Sequence, residues 1–173
     1  MERSGFRCVR CGRLWMTGVW FGTGRSECMI CEGALVSDRD ADPRAVVVRE
    51  CFGAWNSGDI EGLLSHMAES IDWEPTGILL GDDVRRFEGL DDMREWAGMV
   101  AQRWLRTQIH LQEVELAGDD AVFVTGVLDA SSRTDDRVLS EPLAWRFWFE
   151  GPKVTRIDEW RDVDAARAEV LGG

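Results

Sequence analysis

Two groups of residues in this 173-residue chain could do chemistry. The first is a set of clustered thiols. Four of the five cysteines form Cys8-Val9-Arg10-Cys11 and Cys28-Met29-Ile30-Cys31, sixteen residues apart. Each C-x-x-C is a tight turn that aims two thiolates at one point, and two such turns supply the tetrahedral sulfur set that Zn²⁺ prefers. Iron binding and redox dithiol or disulfide chemistry are the other uses of this spacing. A closed set of four thiolates has no open coordination position, so the expected zinc is structural, one ion per chain. The second group moves protons. Only two histidines exist, His66 and His110, which makes the list of neutral-pH bases short. There is no tyrosine, so any mechanism that needs a phenol is excluded. The fifth cysteine, Cys51, shares a helical spacing with apolar residues and is expected in a core.

The elements that must position these groups fall into two segments of different charge. Residues 1–37 hold five arginines and three glutamates, a balance of +2; the rest carries −14 of the net −12. Between the cysteine pairs, Arg13 to Phe21 is rich in bulky residues and is followed by Gly22-Thr23-Gly24, which predicts a small β-hairpin. Residues 6–35 as a whole resemble a zinc ribbon. A module this short cannot bury enough apolar surface alone, so metal would supply its folding energy. An acidic chain repels a phosphate backbone, so nucleic acid is a disfavoured partner and a protein partner is the expected use of the ribbon. Residues 38–43, within the polar stretch Val36 to Pro43, are the expected linker, with Asp42 as an N-cap and Pro43 in the first helical turn.

Residues 44–173 are expected to form a second domain. Val48, Cys51, Phe52 and Trp55 recur at helical spacing and predict a helix over 43–56, ended by Asn56-Ser57-Gly58. Asp59 is expected to cap a second helix carrying Ile60, Leu63, Leu64 and Met67, and a third is expected over 90–104. Short strands are expected at 71–75 and 84–87. Four longer ones are expected at 108–116, 121–130, 138–149 and 153–160, with a last short helix after Asp162. Helices followed by an antiparallel meander define an α+β layout, three helices packed on a curved antiparallel sheet.

The order of several loose motifs carries a resemblance. Ala54-Trp55-Asn56-Ser57-Gly58-Asp59 is followed by Ile71-Asp72-Trp73-Glu74-Pro75 and by Phe87-Glu88-Gly89-Leu90-Asp91-Asp92-Met93-Arg94-Glu95-Trp96. Trp145-Arg146-Phe147, Gly151 to Trp160 and Asp164-Ala165-Ala166 complete the series. In these stretches residues 44–171 resemble the SnoaL-like branch of the NTF2-like superfamily. The resemblance implies a cone-shaped α+β barrel with an apolar pocket at its open end, dimerised through the outer sheet face. It also implies a small hydrophobic ligand and no organic cofactor. Family members include polyketide cyclases, ketosteroid isomerase relatives, epoxide hydrolases, dehydratases and non-catalytic binders, so the fold alone names no reaction.

Within such a cone, Trp73, Trp96 and Trp145 are the expected ligand contacts, with Glu141 beside them. His110 has the parity of Val114 and Leu116. If those two face inward, His110 does too, near the mouth, with Asp158 or Glu141 as its carboxylate partner. The other reading of each is a partly exposed strand residue. The tyrosine-dependent isomerase pattern does not fit this chain. Arg94, Arg146 and Asp158 have the residue types of an epoxide-hydrolase triad, and His110 with Asp158 has those of an aldol-type cyclase. Two functions are therefore expected in competition: acid/base chemistry of the cyclase, isomerase or hydratase type, or a non-catalytic binding or scaffold module docked through its ribbon. No apolar run approaches the roughly 20 residues of a membrane span, and Met1 to Val9 lacks a signal-peptide core. The expected compartment is the cytoplasm, where thiols stay reduced. Elemental analysis of the reduced protein is expected to return about one zinc per chain; metal-free folded protein would overturn the four-thiolate site.

Overall fold

A computed structural model describes residues 5–8, 14–16, 35–37, 42–83 and 85–172. Cys11, Cys28 and Cys31 lie outside them, as does most of the expected 13–21 hairpin, and Cys8 is placed by its backbone alone. Three short strands are described ahead of the second segment: β1 (Gly5–Cys8), β2 (Leu14–Met16) and β3 (Leu35–Ser37). They form an antiparallel sheet in the order β2-β1-β3. Arg7 lies opposite Leu14 and Cys8 opposite Leu35, so β1 ends, and β2 and β3 begin, at one end of this sheet.

Helix α1 (Pro43–Ser57) starts where its cap chemistry dictates. The Asp42 carboxylate accepts from the Arg44 N–H at 2.9 Å, and Gly58 ends the helix in the left-handed conformation at φ 76°. Val48, Cys51, Phe52 and Trp55 are all buried, as their spacing requires. Asp59 caps α2 (Ile60–Leu64), which is shorter than its apolar spacing suggests. Met67 instead opens strand β4 (Met67–Glu74), where alternation buries it beside Ile71 and Trp73. After the two-residue strand β5 (Phe87–Glu88), α3 (Gly89–Arg103) buries Met93, Trp96, Ala97 and Val100. Trp104 is already extended and begins β6 (Trp104–Leu116), so the chain passes from helix to strand without a loop. Strands β7 (Ala121–Ser132), β8 (Val138–Glu150) and β9 (Lys153–Trp160) follow, then α4 (Val163–Leu171), capped by Asp162. None of the described helices is long and apolar enough to cross a membrane.

The second sheet has six strands in the order β5-β4-β9-β8-β7-β6. It is mixed rather than wholly antiparallel, because β4 returns to lie parallel to β9. The main core lies between its inner face and α1 and α3, and holds Val122, Val124 and Leu128 of β7 with Leu143, Trp145 and Phe147 of β8. A smaller cluster lies on the outer face, where Phe123 and Ala144 meet Ala166 of α4.

One irregularity decides which side chains face inward. Along β6 and β7 the pairing runs His110↔Val127, Leu111↔Gly126, then Glu113↔Thr125, leaving Gln112 as an extra residue. A bulge of one residue reverses the alternation beyond it. Ile109, Leu111 and Val114 therefore all pack on the main core, while His110 turns to the outer face and is 60% exposed. Parity with Val114 holds only in an unbroken strand. Gly126 is what the bulge leans on, since a Cβ there would lie 2.8 Å from the His110 carbonyl oxygen. Gly126→Ala is expected to destabilise the domain by about 2 kcal/mol, read as a lower urea midpoint with an unchanged slope.

Candidate functional site

Inside the cone, α1, α3 and the inner sheet face enclose an apolar cavity of about 70 Å³. Its walls include Cys51, Phe52 and Trp55 of α1, Met93 and Trp96 of α3, Met67 and Trp73 of β4, Ile109 of β6, Leu128 of β7, and Leu143, Trp145 and Phe147 of β8. Phe52 meets Trp145 and Phe147 edge-on at 5.2 and 5.5 Å. Trp96 is flanked by Trp55 at 4.8 Å and by Trp73 at 4.4 Å, the latter T-shaped. This volume is about half of the ~150 Å³ that holds a benzene in an engineered core. A ring-sized ligand must therefore displace lining side chains, and the unbranched Met67 and Met93 are the easiest to move. Cys51 is buried against this cavity, and desolvation pushes its thiol up to about 12, which keeps it unreactive.

Among the described residues a single ionisable carboxyl lines the cavity: Glu159 of β9. Its parity follows from Ile157, two residues earlier on the inner face, and from Trp145, directly opposite on β8. Three donors hold it. The Thr76 hydroxyl and N–H donate to Oε1 at 2.6 and 3.1 Å, and the Trp145 indole N–H donates to Oε2 at 2.9 Å. Burial raises the carboxyl above its ordinary value, and the bonds from Thr76 and Trp145 offset only part of that. Glu159 also borders a polar groove on the outside, shared with Thr76 and Asp158, through which its proton can exchange with solvent.

Asp158 points the opposite way. It accepts from Arg146 at 2.7 and 2.9 Å, from the Trp148 indole at 2.8 Å and from Arg156 at 2.7 Å. Burial acts to raise its carboxyl, but the bonds from Trp148, Arg146 and Arg156 together outweigh it and hold the group below the usual carboxylate value. Arg146 is itself packed between Trp148 and Trp160, 4.4 and 5.4 Å from their ring centres. The groove measures about 480 Å³, larger than the cavity, yet its arginines are already paired: Arg86 with Asp72, and Arg146 and Arg156 with Asp158. It offers no free cation to a ligand.

The structure thus separates the residues that the sequence suggested as partners. His110 lies 3.2 Å from Asp129 on the outer face, Asp158 is committed to two arginines, and neither lines the cavity. Glu141 has inner parity opposite Leu128 but also does not line the cavity. Arg94 pairs with Glu61 and Asp91 and Arg146 with Asp158, so the three residues expected together are not joined. His66 is 3.8 Å from Glu50. Trp73, Trp96 and Trp145 do line the cavity, joined by Trp55. Glu159 is the cavity-lining carboxyl that sequence reasoning missed. The available signal was its two-residue offset from Ile157 in a strand whose other acidic residue, Asp158, has the opposite parity. Among the described residues no group of three or more His, Cys, Asp or Glu could hold a metal ion.

The chain matches the SnoaL-like domain family over residues 48–157 and belongs to it. No curated protein is significantly similar to it in sequence. Solved structures share its fold at low identity. An NTF2-like protein from Burkholderia pseudomallei superposes with a TM-score of 0.64 at 16% identity, over 77% of this chain and 100% of that one. TerC, crystallised with polyporic acid, gives 0.63 at 19% identity over 76% and 100%. A putative polyketide cyclase from Xanthomonas campestris gives 0.58 at 18% identity over 74% and 96%. The NTF2-like fold is therefore established.

The two neighbouring carboxylates should give opposite pH signatures. Glu159 has a raised folded value, so its proton-linked stabilisation is full below the unfolded value of about 4.3 and is lost as pH rises through the folded value. Asp158 has a depressed folded value, so its contribution is present above about 3.9 and is lost as pH falls through the folded value. In urea unfolding from pH 3 to 8, Glu159→Gln is expected to gain stability relative to the parent as pH rises above about 4.3. Asp158→Asn is expected to lose about 2 kcal/mol at neutral pH and progressively less in acid.

Proposed function

We propose that this SnoaL-like protein binds a small hydrophobic molecule in the cone and moves a proton on it with Glu159, in a cyclisation, isomerisation or hydration. The observation that carries the reading is a lone carboxyl, raised by burial and held by three hydrogen bonds, in the wall of an otherwise apolar cavity. A carboxyl raised by burial is better matched to both giving and accepting a proton than a solvated one. Its border on the outer groove supports return of the proton from solvent. That TerC was crystallised with polyporic acid, and that a relative in fold is described as a putative polyketide cyclase, accord with a small-molecule ligand.

The small cavity favours a second reading, a non-catalytic binding or scaffold module. Incubation with 1-tetralone in D₂O separates the two. Acid/base chemistry is expected to exchange the hydrogens beside the carbonyl faster than buffer does, with Glu159→Gln slowing the exchange by about 100-fold or more and His110→Ala leaving it unchanged. No exchange, with no change in tryptophan emission across a panel of cyclic ketones, would establish the scaffold reading instead.

The N-terminal segment is proposed to hold one structural Zn²⁺ on Cys8, Cys11, Cys28 and Cys31 and to dock a protein partner. The order of the strands supports this. In sequence the first C-x-x-C begins at the end of β1 and the second ends four residues before β3, and β1 ends where β3 begins. Homodimerisation through the outer sheet face and a cytoplasmic location, which suits reduced thiols, complete the proposal.

A further inference from the structure

We propose that Trp55 and Trp73 hold the carbonyl oxygen of a small neutral ligand in the cavity, an assignment that rests on reading the cavity as the ligand site. Both residues are more than nine-tenths buried, at 9% and 7% exposure, and both line the cavity. Their indole N–H groups are buried and have no acceptor. Three other indoles of the domain are satisfied: Trp104 donates to the Leu79 carbonyl at 2.8 Å, Trp145 to Glu159 and Trp148 to Asp158. An unmet buried donor is costly, and here two of them flank the same ring, Trp96.

The chemistry of the walls selects the occupant. An indole only donates, so it calls for an acceptor. Among the described residues no lysine, arginine or histidine lines the cavity, so an anion would enter without a counter-charge. A hydroxyl would bring a donor of its own, which two indoles cannot accept. A carbonyl oxygen only accepts, and on an apolar ring or chain it leaves the remaining walls their hydrophobic contacts. The competing use of the Trp73 N–H is a contact with the Trp96 ring, which the T-shaped geometry permits.

Calorimetric titration with acetophenone and ethylbenzene, near-isosteres that differ in the carbonyl, tests the assignment on the full-length protein. Trp55→Phe and Trp73→Phe are each expected to weaken acetophenone about tenfold while changing ethylbenzene by less than about twofold. The infrared carbonyl stretch of bound acetophenone is expected below its frequency in hexane, and to rise in each variant. Parallel losses for both ligands, an unshifted stretch, or an effect from only one of the two variants would overturn the two-donor assignment. Ethylbenzene binding to the parent without any carbonyl response leaves the cavity as the ligand site and removes only the donors. Binding of neither ligand removes both.

Discussion

Between its bulges, each strand of the six-stranded sheet sends only every second side chain inward, and the rest of the molecule is arranged around that constraint. Asp158 and Glu159 are adjacent carboxylates with opposite environments because the pleat separates them. Asp158 faces two arginines and an indole on the outside, and Glu159 faces an apolar cavity. Burial acts on both groups in the same direction. The difference comes from the partners, because arginines favour the charged form of Asp158 while Glu159 has only neutral donors.

A buried carboxyl is tolerated only where its oxygens are engaged. Thr76 supplies two donors from the segment just after β4, and Trp145 supplies the third from the neighbouring strand. The parallel pairing of β4 with β9 makes this possible, since it brings the end of β4 alongside Asp158 and the chain beyond it to Glu159. The sheet's topology and the satisfaction of one acidic side chain are thus linked. On the outer face, Arg146 lies between two tryptophans, directly opposite Asp158.

At the far edge of the sheet, Asn56 ties α1 to β6. Its side-chain amide donates to the Ile109 carbonyl and accepts from the Ile109 N–H, both at 2.8 Å, as a neighbouring strand would. This covers part of an edge that would otherwise present unpaired backbone groups. It also holds β6 against the cavity wall, next to the bulge that turns His110 outward. The absence of tyrosine makes the indole N–H groups the natural neutral donors in such a cone, because every other large aromatic available to it is phenylalanine.

Much of the fold was legible in the sequence because the signals are local. Asp42, Pro43 and Gly58 bracket α1 by cap chemistry, and the spacing of Val48, Cys51, Phe52 and Trp55 marks its buried face. Three of the four tryptophans that line the cavity, Trp73, Trp96 and Trp145, could be named from the family resemblance, whereas Trp55 could not. The spacing of Met67 fits a helix although it opens β4, because apolar spacing over one turn does not separate the end of a helix from the start of a strand. The inward face of β6 was not legible at all. One extra residue at Gln112 reverses it, and what permits that residue is Gly126 on another strand. The sequence by itself determined the elements, the thiol spacing and the supply of titratable groups. Only the tertiary structure decided that Glu159, rather than Asp158 or His110, reaches the cavity, because facing depends on register and register is set between strands.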